Sequence, residues 1–122
     1  MRIVFDTNFL IDMIKFKVDI EEIEELVGKC NFFIFDSVIE ELEKIAKTRK
    51  KDGMNAKLAL NFLKSRKFKT IKTKFKSTDE AIVNSLEKDS IVATNDSELR
   101  KILKAKGIKT IYLRSKKHLE VG

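Results

Sequence analysis

Residues 91–100 read IVATNDSELR, an apolar segment that continues without a Gly or Pro into a polar turn and the start of a helix. Ile91, Val92 and Ala93 are typical of a buried strand. Asn95 and Asp96 follow almost at once. In open α/β sheets, ligands bind outside the carboxyl ends of the strands. The stretch therefore predicts a buried strand whose end carries a carboxylate at a position suited to a functional site.

The rest of the chain alternates short apolar runs with longer stretches of helical periodicity. Strands are predicted at residues 2–5, 31–35, 69–71, 90–94 and 109–113. Helices are predicted at residues 8–15, 19–28, 37–50, 53–65, 77–88 and 96–106. This alternation favours right-handed crossovers and a sheet covered by helices on both faces. We therefore expect the α/β class, a three-layer α/β/α sandwich with a mostly parallel sheet of about five strands, in a single domain of residues 1–122.

The bulk composition limits the class of protein. A chain of 122 residues with 43% hydrophobic residues is long enough for one core. It contains no apolar run of about 18 residues, which a membrane-spanning helix needs. Asp6 interrupts the N-terminal apolar run too early for a signal peptide, and a single cysteine, Cys30, excludes an internal disulfide. We therefore expect a cytoplasmic protein with no membrane partner.

Positive charge is concentrated in one part of the chain. The formal net charge is +7, and residues 44–76 contain thirteen Lys and Arg residues against a single acid, Asp52. A basic block of this density is a plausible footprint for a phosphate backbone. A solvated, Lys-rich surface of the kind found in thermophiles accounts for it equally well. The block alone leaves both interpretations open.

Acidic residues follow four of the five predicted strands. Asp6 comes directly after the first strand, and Asp96 comes two residues after the fourth. The second strand is followed by Asp36 and Glu41, and the third leads to Asp79. A parallel sheet gathers the carboxyl ends of its strands on one edge. The spacing therefore predicts that several carboxylates meet at that edge.

Helical phase separates these acids from others that have a structural explanation. Asp79 stands on the apolar stripe of its predicted helix, and Glu41 lies at the edge of the apolar face of residues 38–46. An acid at such a place is costly unless it is paired, hydrogen-bonded or bound to a metal. Three segments, SVIE at 37–40, STDE at 77–80 and NDSE at 95–98, match helix capping boxes. Capping accounts for their last residues: Glu40, Glu80 and Glu98.

Several carboxylates at one sheet edge repel one another unless a cation holds them. Oxygen ligands with no His or Cys nearby suit a hard ion such as Mg²⁺ or Mn²⁺. Such an ion keeps water molecules, and one of these can be activated to attack phosphorus. The alternative is that Asp6, Asp79 and Asp96 merely cap helices and interact with their dipoles. The recurrence of an acid in successive strand–helix units favours one shared site.

These motifs resemble the PIN domain, a compact α/β/α nuclease fold found in VapC-type toxins and in pre-ribosomal RNA nucleases. The strand that ends in Asp-Thr-Asn matches residues 4–8, VFDTN, and the helix bearing Val-x-x-Glu-Leu matches residues 38–42, VIEEL. The third acid of the family pattern matches Asp79, with Ile82 three residues later. The fourth matches the Thr-Asn-Asp turn of residues 94–96. The resemblance covers essentially the whole chain.

The resemblance implies a set of site residues. Four acids are expected to bind the metal and to be catalytic: Asp6, Glu41, Asp79 and Asp96. Five neighbours are expected to support them: Thr7, Asn8, Thr94, Asn95 and Glu98. Capping and an outer role in the site can coexist at Glu98. Basic residues of the 44–76 block and of the tail are expected to contact RNA: Arg49, Lys50, Lys51, Arg114, Lys116 and Lys117. The tail residues are alternatively a solubilising segment.

The function that the resemblance implies is endonucleolytic hydrolysis of RNA with one or two Mg²⁺ or Mn²⁺ ions, either in rRNA processing or as a VapC-type toxin. Residues 92–96, VATND, are most similar to archaeal single-domain relatives of the pre-ribosomal nucleases. The expected partners are RNA, a second copy in a homodimer, and an antitoxin or a pre-ribosomal assembly partner. The alternative is a non-catalytic RNA-binding module that docks through its basic surface.

Overall fold

A single mixed sheet organises the protein. The structure, a computed structural model, describes residues 1–72, 82, 89–115 and 118–122. The strands are β1 Arg2–Phe5, β2 Asn31–Phe35, β3 Lys69–Ile71, β4 Ser90–Ala93, β5 Lys109–Arg114 and β6 His118–Val121. The helices with described bounds are α1 Thr7–Lys15, α2 Glu21–Val27, α3 Asp36–Ala46, α4 Lys51–Ser65 and α5 Ser97–Ala105.

The strand order creates a crevice at the centre of the sheet. The order is β3-β2-β1-β4-β5-β6, with β1 to β5 parallel and β6 antiparallel to β5. The chain leaves β1 toward β2 on one side and leaves β4 toward β5 on the other. Ligand sites of open α/β sheets form at such a switch point. The ends of β1 and β4, where Phe5 is in register with Ala93, therefore lie at the expected place for a site.

The two central strands are apolar because both of their faces are covered. Ile3, Val4 and Phe5 of β1 are fully buried or nearly so, as are Val92 and Ala93 of β4. A parallel strand buried on both faces is typically a continuous hydrophobic run, without alternation. This explains why both strands could be predicted from composition alone. It also gives the residues that follow them a rigid support.

The predicted α/β class is confirmed, and the sheet has one strand more than predicted. All five predicted strands are present with nearly the same bounds. The sixth, β6, was not predicted because its sequence HLEV is short and follows a basic run typical of a solvated tail. It is held by pairing with β5, where Tyr112 faces Glu120. Leu119 packs against the core from this strand.

Three predicted helices are found with shorter bounds, those at 19–28, 37–50 and 96–106. The helix predicted at 37–50 ends at Ala46, and the chain then turns into α4. In this turn Thr48 donates from its hydroxyl to the Ile45 carbonyl oxygen at 2.8 Å. A Cβ atom at Gly53 would collide with the Thr48 carbonyl oxygen, so the close packing of α4 on this turn requires glycine. The helix predicted at 77–88 lies outside the described residues except for Ile82, which is helical and fully buried.

None of the helices with described bounds is long and apolar enough to cross a membrane. The longest of them, α4, has 15 residues and carries Lys and Asn on its surface.

Candidate active site

Asp6 occupies the end of β1 and is the most buried acid among the described residues, at 6% exposure. Its backbone N–H donates to the Ala93 carbonyl oxygen at 2.9 Å, which ties the ends of β1 and β4 together. Its Oδ1 accepts from the Thr7 backbone N–H at 2.9 Å and caps α1. Its Oδ2 accepts from the Thr94 hydroxyl at 2.9 Å. These hydrogen bonds offset the cost of burying the carboxylate and fix its orientation.

Thr7 connects Asp6 to Glu41 on a different helix. Thr7 is buried in the first turn of α1, and its hydroxyl donates to Glu41 Oε2 at 2.8 Å. Glu41 lies half-buried in the second turn of α3, next to the buried Leu42. The structure therefore brings Asp6 and Glu41 to the two sides of one residue. Glu40, the neighbour of Glu41, is exposed.

Thr94 connects Asp6 to Asp96 at the end of β4. Thr94 is fully buried, and its backbone N–H donates to the Ile111 carbonyl oxygen at 2.9 Å. Its hydroxyl oxygen, which donates to Asp6, also accepts from the Asp96 backbone N–H at 3.2 Å. Asp96 Oδ1 in turn accepts from the N–H groups of Glu98 and Leu99 at 3.0 and 3.2 Å. Two buried threonines thus join the acids of three strand–helix units into one hydrogen-bonded group.

Asn95 fixes the turn that carries Asp96. Its Nδ2 donates to Asp12 Oδ2 on α1 at 2.8 Å, and its Oδ1 accepts from the Leu113 backbone N–H on β5 at 2.8 Å. One amide side chain therefore ties the turn after β4 to a helix and to the neighbouring strand. Asp12 was not among the predicted site residues. The available signal was an acid within the apolar run FLIDMI of residues 9–14.

We expect Asn95→Ala to lower the free energy of unfolding by about 1–3 kcal/mol, because it leaves the Leu113 N–H and the Asp12 carboxylate without this partner. Chemical denaturation measures the change. Asn61→Ala is the matched control, since Asn61 is exposed on α4. Equal stability of the two variants would show that the Asn95 bridge contributes nothing.

The capping predictions for two helices were wrong in detail. The first helix residue of α3 is Asp36 and its N-cap is Phe35, so Ser37, the predicted N-cap, lies inside the first turn. At α5 the N-cap is Asp96 and not Asn95. The reason is that the Asn95 amide is engaged with Asp12 and Leu113.

The remaining predicted residues are more scattered. Asn8 is exposed in the first turn of α1, next to Thr7. Glu98 is exposed in the first turn of α5, close to Asp96. Asp79 and Glu80 lie outside the described residues, as do Lys116 and Lys117. The prediction that Asp79 belongs to the site therefore stays a prediction.

Among the described residues, the predicted RNA contacts fall in two places, the turn between α3 and α4 and the end of β5. Arg49 and Lys50 line a surface cavity of about 760 Å³ at the turn between α3 and α4, and Lys51 begins α4. Arg114 instead forms an exposed ion pair with Glu120 at 2.9 Å. The hydrogen bonds from Arg114 and from the Tyr112 hydroxyl lower the pKa of Glu120, and Glu120 raises the pKa of Arg114. Arg114 is thus held against β6.

The donor set of the site suits a hard cation. The acids at this edge, Asp6, Glu41 and Asp96, offer oxygen atoms, which Mg²⁺ and Mn²⁺ prefer. Within residues 1–72, 82, 89–115 and 118–122, no three His, Cys, Asp or Glu side chains form a group arranged to hold a metal ion. The fourth acid of the family pattern, Asp79, is outside that part of the chain. The described acids fit the chemistry of the ion and form part of its expected ligand set.

The fold and the hydrogen-bonded acids at the central crevice indicate an α/β protein with a carboxylate site at the ends of its strands. Residues 3–116 match the family model for the PIN like domain. The chain therefore belongs to the PIN-like domain family, and the predicted resemblance is confirmed.

Curated relatives of the chain are similar over most of its length. It is 37% identical to Ribonuclease VapC4 of Methanocaldococcus jannaschii, over 98% of this chain and 95% of that protein. It is 33% identical to Ribonuclease VapC9 of Archaeoglobus fulgidus, over 97% of this chain and 87% of that protein. It is also 35% identical to the rRNA-processing protein FCF1 of Saccharomyces cerevisiae, over 88% of this chain but only 57% of the length of FCF1.

Solved structures support the same fold. The PIN domain endonuclease Utp24 superposes with a TM-score of 0.81 at 29% identity, covering 98% of this chain and 90% of Utp24. VapBC2 from Rickettsia felis, solved with a DNA fragment from its promoter, gives a TM-score of 0.59 at 17% identity, covering 92% of this chain and 98% of that chain. The second match shows the fold alone.

Proposed function

We propose that this single PIN-like domain is an endoribonuclease that hydrolyses RNA phosphodiester bonds with the help of divalent cations. The observation that carries the proposal is the hydrogen-bonded group at the switch point, in which Thr7 and Thr94 connect Asp6 to Glu41 and to the Asp96 turn. The ribonuclease relatives confirm the predicted class of activity. Mg²⁺ or Mn²⁺ as the cation, one or two in number, belongs to the proposal.

Four acids would hold the cation: Asp6, Glu41, Asp79 and Asp96. A divalent ion, when bound, activates water and neutralises the charge that develops on the phosphate. The contribution of the protein is to orient these carboxylates. Because Thr7 and Thr94 each donate to a carboxylate, those carboxylates keep acceptor oxygens in fixed positions. Asn95 holds the turn that carries Asp96, while Asn8 and Glu98 lie at the exposed rim.

Two classes of RNA substrate follow from the relatives. The TM-score of 0.81 with the endonuclease Utp24 and the identity of 35% with FCF1 favour a pre-ribosomal RNA, and with it an assembly partner. The identity of 37% with Ribonuclease VapC4 over 95% of that protein favours a toxin whose partner is an antitoxin. We propose the first as the leading substrate class and the second as its competitor.

Purified protein is expected to cleave a generic single-stranded RNA when Mg²⁺ or Mn²⁺ is present and to lose that activity in EDTA. Restoring an excess of the cation should restore cleavage. Because water is the proposed nucleophile, a 2′-deoxy substitution at the cleaved position should not stop the reaction, and no 2′,3′-cyclic phosphate should appear. Gel analysis of end-labelled RNA with mass spectrometry of the products measures both points. Undiminished cleavage in EDTA, or a cyclic phosphate product, would contradict the proposed chemistry. RNA binding without cleavage under every metal condition would favour the docking module.

A further inference from the structure

A second charged feature lies on the other side of the Asp96 turn. Helix α5 and strand β5 enclose a cavity of about 220 Å³. Its lining comes from both elements: Ser97, Arg100, Lys101, Lys104, Thr110 and Tyr112, together with Gly122. The lining thus contains three cationic side chains and no acidic side chain. Gly122 exchanges backbone hydrogen bonds with Thr110, which closes the base of the cavity with main chain.

Arg100 is held in this cavity in a defined orientation. Its guanidinium carbon lies 3.8 Å from the centre of the Tyr112 ring. The Tyr112 hydroxyl donates to Glu120 Oε2 at 2.9 Å, which fixes the ring. The second oxygen of Glu120 is engaged by Arg114, so Glu120 is shared between two other groups. Stacking on an aromatic face positions a guanidinium without consuming its hydrogen-bond donors.

One donor of Arg100 lacks an acceptor. Among the described residues, Nε of Arg100 is the one buried side-chain polar atom that has no hydrogen-bond partner. Buried polar groups are nearly always hydrogen-bonded, so an exception needs an explanation. The Tyr112 ring lies against the guanidinium and accounts for the burial of Nε, so an anion in the cavity would contact the other guanidinium nitrogens. Arg is well suited to this role because its planar donors match phosphate oxygens in pairs.

We propose that this cavity binds a phosphate of the nucleic-acid backbone next to the phosphate that is cleaved. The proposal rests on the proposed function, since it takes RNA as the ligand. Ser97 directly follows Asp96, so the cavity begins one residue from the carboxylate group. A helix rises about 1.5 Å per residue, which places Lys104 about 10 Å along α5 from Ser97. Arg100, Lys101 and Lys104 therefore form a cationic track that leads away from the proposed active edge.

Binding of a fluorescent single-stranded RNA oligonucleotide, measured by anisotropy in EDTA over a series of salt concentrations, tests the cavity without cleavage. The cavity variants are Arg100→Gln and the pair Lys101→Gln/Lys104→Gln. The control pair is Lys17→Gln/Lys29→Gln, which removes the same charge as the lysine pair. Both residues are exposed, Lys17 follows α1 and Lys29 precedes β2, so neither lines the cavity nor adjoins a residue that does. Circular dichroism and thermal unfolding of each variant establish that it is folded.

Each cavity variant is expected to bind RNA about tenfold more weakly than the wild type, as for the loss of a hydrogen bond to a charged group. The salt dependence of log K should fall by about 0.7 for each phosphate contact removed. The control pair should bind within about twofold of the wild type, because its charges do not line the cavity and are exposed to screening by salt. Arg100→Lys should recover part of the salt dependence but not the full affinity, since it keeps the charge and loses the planar fork.

The outcomes separate this proposal from the proposed function. In cleavage assays with Mn²⁺, the cavity variants should raise KM and leave kcat close to the wild-type value, because they remove binding that is equal in ground and transition state. A single-stranded DNA of the same sequence should lose affinity to the same degree, since the contact is to phosphate. If the wild type cleaves RNA while cavity and control variants bind alike, the phosphate site is overturned and the nuclease stands. If the cavity variants lose affinity for RNA but not for DNA, the phosphate site is also overturned, and a contact to the 2′-hydroxyl explains the loss. A wild type that neither binds nor cleaves RNA overturns both.

Discussion

Asp6→Asn is expected to reduce RNA cleavage by about 10³-fold or more while the protein stays folded. Asp6 stands at the centre of the hydrogen-bonded group, with Thr7 on one oxygen and Thr94 on the other. Asparagine keeps an oxygen to cap α1, and the Thr94 hydroxyl can rotate to accept from its amide. The substitution therefore removes the negative charge and leaves the local geometry intact. Cleavage of end-labelled RNA at saturating Mn²⁺ measures the loss.

Stability is the control for this variant. Removing one charge from a group of carboxylates relieves repulsion in the metal-free protein, so Asp6→Asn should be as stable as the wild type or more stable. Thermal unfolding in EDTA measures it. A variant that unfolds at a much lower temperature would show that Asp6 is needed for folding. Wild-type cleavage by a folded Asp6→Asn protein would exclude Asp6 as an essential ligand.

Glu41→Gln is expected to lower cleavage by about 10²–10³-fold, and Glu40→Gln is expected to leave it unchanged. The two residues are neighbours on α3 and carry the same charge. Glu41 is half-buried and accepts from the Thr7 hydroxyl, whereas Glu40 is exposed. Glutamine retains an oxygen for Thr7, so the Glu41 variant loses charge and a metal ligand but keeps the contact. Single-turnover cleavage rates of the two variants measure the difference.

Comparing Glu41→Gln with Glu40→Gln separates the effect of a residue's position from the effect of net charge. Both variants raise the net charge by one unit, so any general effect on RNA attraction is shared. Wild-type rates for both variants would remove Glu41 from the site. Equal losses in both would indicate a long-range electrostatic effect and not a role in metal binding.

Much of the fold could be predicted because its central strands are buried on both faces. The apolar residues of β1 and β4 are followed at once by Asp6 and by the Thr94–Asp96 turn, so each strand end was also a candidate site. Strand β6 was missed for the opposite reason. It lies at the sheet edge, its sequence is mixed in polarity, and it is held by pairing with β5. Such pairing is a tertiary property that local periodicity does not contain.

The residues of the candidate site were proposed from the sequence, but the hydrogen bonds that connect them were not. Helical phase separated Glu41 from Glu40, and the structure places them as half-buried and exposed. Asp12 was missed because its partner Asn95 is 83 residues away in sequence. The same contact explains why Asp96, and not Asn95, caps α5. Hydrogen bonds between residues that are distant in sequence form only once the sheet is assembled, so local sequence patterns do not predict them.

We propose that the acids at the ends of β1 and β4 bind the divalent cation on which cleavage depends. Isothermal titration calorimetry of Mn²⁺ into the wild type, Asp6→Asn and Glu40→Gln tests it most directly. We expect the wild type and Glu40→Gln to bind one or two ions with the same affinity, and Asp6→Asn to lose at least one of them. Equal Mn²⁺ binding by all three proteins would contradict the assignment of the site.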